Sequence, residues 1–183
     1  MLIGPAGAGK SSVGARVAAL LQKPFVDLDE IGDTYYKEID QSFDRFTTVI
    51  ASNDFVDAHR WWQPARAHGV ERVLDEHPGA VIAFGAGHSH FEDAHYFDVV
   101  RVALAPVTVV LLLPAPDAET AIVTLRARCE RDRGISWVNG GVDFLSDWVR
   151  SVQNHSLADH TVYADGDDID AVSRRVVDLV PNR

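Results

Sequence analysis

The chain is poor in the features that would place it outside the cell or in a membrane. Of its 183 residues only one is cysteine, Cys129, so no disulfide can form within it. No apolar run is long enough for a membrane span. The longest covers 99–115 and is broken by Arg101, Pro106 and Pro114. The first residues do not read as a secretory signal, because glycines and Lys10 interrupt what would be its apolar core. Basic charge is also scarce: the formal net charge is -10, which argues against a nucleic-acid partner, whose phosphates require a basic surface. Internal repeats and low-complexity tracts are absent. A cytoplasmic protein without nucleic-acid or membrane partners, monomeric or homodimeric, is expected.

The sequence does carry an alternation of short apolar runs with helical patterns. Strands are predicted over 1–3, 24–28, 80–84, 108–113 and 160–164. Helices are predicted over 10–21, 31–50, 55–76, 92–104, 118–133, 144–151 and 168–179, with Asp117 placed to cap the helix that starts at 118. Such alternation predicts one domain over 1–183: a three-layer α/β/α fold around a five-stranded, mostly parallel sheet. A helical subregion over about 31–78 and a glycine-rich lid over about 133–147 are expected to flank the site. Only three residues precede Gly4, so the first strand reads as truncated or as continuing from a start upstream.

The most specific motif is Gly4-Pro5-Ala6-Gly7-Ala8-Gly9-Lys10-Ser11, which satisfies G-x-x-x-x-G-K-[ST] between a strand and a helix. Glycines let backbone N–H groups turn around phosphate oxygens, and the helix that follows aims its positive end at them. Lys10 supplies a point charge to the terminal phosphates, and Ser11, followed by Ser12, offers a hydroxyl to Mg²⁺. The motif predicts a P-loop fold that binds a nucleoside triphosphate with Mg²⁺. Downstream, Asp27 and Asp29 end the second predicted strand and, by strand alternation, share a face. His88, His90 and His95 follow the turn Gly85-Ala86-Gly87. Their spacing could supply ligands to a transition metal, but no cysteines cluster with them and the P-loop site needs only Mg²⁺, so His88 or His90 is expected to face the pocket instead.

The P-loop with its helix, the Asp27-Leu28-Asp29 segment and the strand-turn Val81-Ile82-Ala83-Phe84-Gly85-Ala86-Gly87 together resemble the shikimate kinase family of P-loop kinases. The resemblance implies an ATP- and Mg²⁺-dependent phosphotransferase acting on a hydroxyl of a small metabolite. It implies Asp27 in the outer shell of Mg²⁺ and Asp29 at the acceptor hydroxyl as its base. It implies that Gly85, Ala86 and Gly87 floor the acceptor pocket, with alanine at the family's middle glycine. Arg126 is implied at the adenine and Arg133 at the transferring phosphate, with Arg128 and Arg131 competing for these roles. Arg150 is implied at the acceptor carboxylate. The family's Phe-Arg-x-x-Glu segment is not found over 53–62, where Arg60 is the arginine on offer. Trp61, Trp62 and Trp137 suggest an acceptor flatter or less polar than shikimate. A kinase for a sugar acid, a nucleoside or an antibiotic is the alternative, as is a nucleotide-binding regulator without catalysis.

Overall fold

The computed structural model describes all residues except 53, 165 and 181–183, and the side chain of residue 133. Five strands form one sheet: β1 (Leu2–Ile3), β2 (Phe25–Asp27), β3 (Val81–Ala83), β4 (Val110–Leu113) and β7 (His160–Tyr163), in the order β2-β3-β1-β4-β7. Every pairing in it is parallel, with Leu2 opposite Ala83 on one side and Val110 on the other. All of Val110–Leu113 is buried, as expected for a parallel strand covered by helices on both faces. A two-stranded antiparallel hairpin, β5 (Val138–Asn139) with β6 (Val142–Asp143), stands apart from this sheet.

Ten helices surround the strands among the described residues: α1 (Lys10–Leu21), α2 (Leu28–Tyr36), α3 (Phe43–Ser52), α4 (Phe55–Trp61), α5 (Gln63–Glu76), α6 (Ala94–Leu104), α7 (Ala118–Arg133), α8 (Phe144–Arg150), α9 (Val152–Leu157) and α10 (Ile169–Leu179). None of the described helices is long and apolar enough to cross a membrane. The strands fall inside their predicted spans, and α1 and α7 match theirs. Asp117 caps α7 by accepting from the Thr120 N–H at 2.8 Å.

Two predicted helices are each divided. The span 31–50 breaks after Tyr36 into a short 3₁₀ turn, Lys37–Ile39, and Asp40 takes a left-handed conformation before α3 begins. The span 55–76 breaks at Trp62 because Pro64 stands in the first turn of α5, where its missing N–H is harmless but would interrupt a continuous helix. The hairpin and α9 were not foreseen. The hairpin turns on Gly140 and Gly141, both with positive φ, inside the segment expected to form a lid.

The chain leaves β1 toward β2 and β3 on one side and later adds β4 and β7 on the other. The carboxyl ends of β1 and β3 therefore meet at a switch point, the place where open α/β sheets bind ligands.

Candidate active site

The loop at the end of β1 is shaped by its glycines. Gly7 and Gly9 have φ of 76° and 93°, a region costly for any side chain. A Cβ on Gly4 would stand 2.5 Å from the Leu112 carbonyl oxygen. Lys10 is buried, and its Nζ donates to the Pro5 carbonyl at 2.8 Å, which holds the ammonium over the loop. The start of α1 is left open. Helices α2, α4, α6, α7, α8 and α10 each begin on an aspartate whose carboxylate accepts a first-turn N–H. By contrast, α1 begins on Gly9, with no side-chain cap and no acidic residue in its first turn. Uncapped N–H groups at the positive end of a helix suit an anion.

The loop opens into a cavity of about 480 Å³. Ala6, Gly7, Gly9, Lys10, Ser11 and Ser12 line one end of it, and Asp29, Gly85, Ala86, Gly87 and Arg66 line the other. Asp29 is not on a strand. Asp27 ends β2 and accepts the Asp29 N–H at 3.0 Å as the cap of α2, so Asp29 belongs to the first turn of that helix. Strand alternation therefore does not explain why both carboxylates lie near the sheet edge; the strand-to-helix corner does. Gly85 and Gly87 are required by space. A Cβ on Gly85 would lie 2.0 Å from Asp29 Oδ1, and one on Gly87 would lie 2.4 Å from Arg66 Nη1. Ala86 lies between them in a 3₁₀ turn, outside the left-handed region, so the middle position has no need of glycine.

The cavity lining includes a buried cation, Arg66, 3% exposed. Its Nη1 donates to the Gly87 carbonyl at 2.9 Å and to His59 Nε2 at 2.8 Å, its Nη2 donates to the His59 carbonyl at 3.1 Å, and its Nε has no partner. No carboxylate among the described residues pairs with it. Burial lowers its pKa to about 9, which still leaves a cation at neutral pH. A buried cation without a paired anion is costly and is relieved by an anionic ligand. Two neutral histidines accompany it. Burial, and next the charge of Arg66, lowers His59 to about 2 and His88 to about 3. Tyr36 sits in a slot made by Gly32 and Gly69, where a Cβ would come within 2.4 Å and 2.8 Å of its ring or hydroxyl. Burial, then the charge of Asp29, pushes the Tyr36 phenol upward, so it keeps its proton and donates to His88 Nε2 at 2.8 Å.

Several residues expected at the site lie elsewhere. Arg60 is on the surface, paired with Glu92 at 2.8 Å and Asp57 at 3.3 Å, because it points from α4 away from the cavity that Arg66 enters. Arg150 is exposed and bound to Glu119 across to the start of α7. Arg126 pairs with Asp143 at 2.5 Å, tying α7 to the hairpin, while Arg128 lines the cavity with its Nη1 3.4 Å from the Gly7 carbonyl. The Arg133 side chain lies outside the described residues. Trp62 and Trp137 line the cavity and Trp61 does not; Trp148 joins them. His88 lines the cavity, whereas His90 faces an adjoining cleft and contacts Ser151 Oγ at 2.9 Å.

Arg66 is the residue the motif search passed over. Placed on the family's Phe-Arg-x-x-Glu, the segment Ala65-Arg66-Ala67-His68-Gly69 keeps only the arginine. A signal was nevertheless present. Arg66, Gly69, Val70 and Val73 follow the i, i+3, i+4, i+7 spacing of one buried helix face, so the arginine is carried inward with its apolar neighbours.

Comparison with known proteins identifies the family and the fold. The family model for shikimate kinase matches residues 6–133. No curated protein matches the chain by sequence. Among solved structures, a shikimate kinase from Acinetobacter baumannii in complex with shikimate is similar with a TM-score of 0.62 and 18% identity, over 97% of this chain and 89% of the other. The enzyme from Aquifex aeolicus gives 0.61 and 18%, over 96% and 92%. That from Bacteroides thetaiotaomicron gives 0.61 and 20%, over 97% and 95%. At these identities the structural likeness establishes the fold.

Proposed function

This chain belongs to the shikimate kinase family, and we propose that it transfers the γ-phosphoryl group of ATP to a hydroxyl of a small acidic metabolite held between Asp29 and Arg66. The observation that carries the reading is the single cavity in which the P-loop, Asp29 and a buried, unpaired guanidinium face one space. The P-loop amides and Lys10 hold the triphosphate. The acceptor oxygen attacks the γ-phosphorus, the bond from that phosphorus to the β–γ bridging oxygen breaks, and ADP leaves with the electron pair. The hydroxyl proton passes to Asp29. Arg66 takes the acceptor's carboxylate with its planar fork of donors. Arg133, at the end of α7, is the proposed lid arginine. Positioning and charge stabilisation supply most of the acceleration in such a transfer.

The donor set suits Mg²⁺. Among the described residues no three His, Cys, Asp or Glu side chains gather to hold a metal, and Mg²⁺ binds through phosphate oxygens, a hydroxyl and waters. Ser11 would hold it directly and Asp27 through its water shell; once bound, the ion neutralises charge on the phosphates.

The test is ADP release from Mg-ATP with a panel of hydroxy acids that includes shikimate, beside a no-acceptor control and Lys10→Ala. Acceptor-dependent release in the wild type, lost in the variant, is expected. Failure of the wild type to bind Mg-ATP overturns the reading, and tight binding without transfer to any hydroxy acid reduces it to a nucleotide-binding protein.

A further inference from the structure

We propose that the acceptor is a flat, largely apolar hydroxy acid, an aromatic or conjugated ring carrying one carboxylate and few hydroxyls, rather than a polyhydroxylated ring. This rests on the kinase reading above and names the acceptor class of the same site.

Beyond Gly85 the cavity is walled by rings: Tyr36, Phe43, Phe46, Phe55, Trp62 and Trp137. They form one connected aromatic surface. Centroids lie 4.9 Å apart for Tyr36 and Trp62, 4.9 Å for Phe46 and Trp62, 5.9 Å for Phe43 and Trp62, and 6.2 Å for Phe55 and Trp137. Ring faces of this kind take a planar ligand by offset or edge contacts.

The polar side chains in the same wall are committed to one another. The Tyr36 hydroxyl is on His88 Nε2, and His59 Nε2 accepts from Arg66. Apart from Asp29, Arg66 and the indole N–H groups of Trp137 and Trp148, which have no partner, the chamber therefore offers mostly ring carbon. A hydroxyl that reaches neither these two indoles nor Asp29 or Arg66 is buried without a partner, at a loss of roughly 10- to 100-fold in affinity for each. A flat ring with its hydroxyl at Asp29 and its carboxylate at Arg66 meets no such loss.

Helix α3 points the same way. It buries none of its own residues, and it brings Phe43, 38% exposed, and the half-buried Phe46 to the chamber. Two phenylalanines left partly in water on the helix that roofs the cavity become covered when an apolar ring lies beneath them.

The full chain is titrated, in the presence and absence of Mg-ADP, with 3-hydroxybenzoate and 4-(hydroxymethyl)benzoate as flat probes and with shikimate as the polyhydroxylated probe. Binding is followed by calorimetry and by tryptophan fluorescence. The flat acids are expected to bind at least about tenfold tighter than shikimate. Phe46→Ser is expected to weaken the flat acids about tenfold while changing shikimate little, and Phe43→Ser serves the same comparison if the first variant does not fold. Shikimate binding as tightly as the flat acids, no binding of either class, or flat-acid affinity unchanged in both phenylalanine variants overturns the proposal. Mg-ATP affinity, measured alongside with Lys10→Ala as control, tests the kinase reading on its own.

Discussion

Replacing Gly85 with alanine isolates the placement of one carboxylate. Gly85 has φ −62° and ψ 154°, an extended conformation that alanine adopts without strain, so the backbone need not respond. The added methyl would stand 2.0 Å from Asp29 Oδ1, 2.8 Å from Asp29 Cγ and 2.8 Å from His88 Nδ1. Real Cβ contacts shorter than 3.0 Å are essentially never seen, so the carboxylate has to retreat by about 1 Å or more. A misplacement of that size costs on the order of 100-fold in rate, equivalent to about 2.7 kcal/mol of transition-state stabilisation. Fold stability should fall by about 1 kcal/mol, because the backbone conformation is compatible with alanine and the adjustment falls on the side chains of Asp29 and buried His88. The assay is ADP release coupled to NADH oxidation, with an acceptor that supports Lys10-dependent turnover, together with Mg-ADP affinity and a thermal melt. The expected pattern is kcat down about 100-fold with nucleotide affinity nearly unchanged and melting temperature only slightly lowered. Ala86→Gly, at the neighbouring position that needs no glycine, serves as the control and should stay within about twofold. Turnover of Gly85→Ala within about threefold of wild type, with folding intact, refutes the assignment of Asp29 to the reacting hydroxyl.

Three further outcomes are expected. Arg66→Met should raise KM for an acidic acceptor about 10- to 100-fold without changing KM for ATP, while Arg60→Met, on the surface, should change neither more than about twofold; steady-state kinetics with both substrates varied checks this. His59 and His88 are neutral in the fold, with pKa values of about 2 and 3, but take up protons near 6.5 when unfolded, so they favour the native state fully only above about pH 6.5. As pH falls below that value each should remove about 1.4 kcal/mol per unit, down to its folded pKa. Urea midpoints between pH 7 and 5 should therefore drop, and less steeply in His88→Asn. Gly69→Ala drives a methyl to 2.8 Å from the Tyr36 ring and should destabilise the fold by about 1–3 kcal/mol, read as a lowered melting temperature.

What the sequence disclosed about the site divides along a physical line. The phosphate end is built from backbone. Backbone recognition leaves a dense record, since glycines recur wherever N–H groups must converge and a lysine follows at a fixed offset. Gly7, Gly9, Lys10 and Ser11 line the cavity, and the sheet and helices α1 and α7, whose periods are long and uninterrupted, lie where the sequence places them. The corner at Asp27 and Asp29 was located correctly but explained wrongly, because a capping aspartate and a strand-ending aspartate look alike in one dimension.

The acceptor end is built from side chains reaching in from separate helices, and no local spacing encodes which of them meet. Arg60 and Arg150 are the arginines the sequence puts forward, yet both are spent on surface ion pairs. What separates Arg66 is its register on α5, which Pro64 sets by restarting the helix at Gln63. Once that break is placed, Arg66 shares a face with Gly69, Val70 and Val73. Gly69, in turn, is the small residue that admits the Tyr36 ring. The two features then explain each other. A tyrosine fills the space beside the arginine, its hydroxyl is taken by His88, and among the described residues no carboxylate pairs with the guanidinium. A site arranged in this way keeps its charge for a ligand.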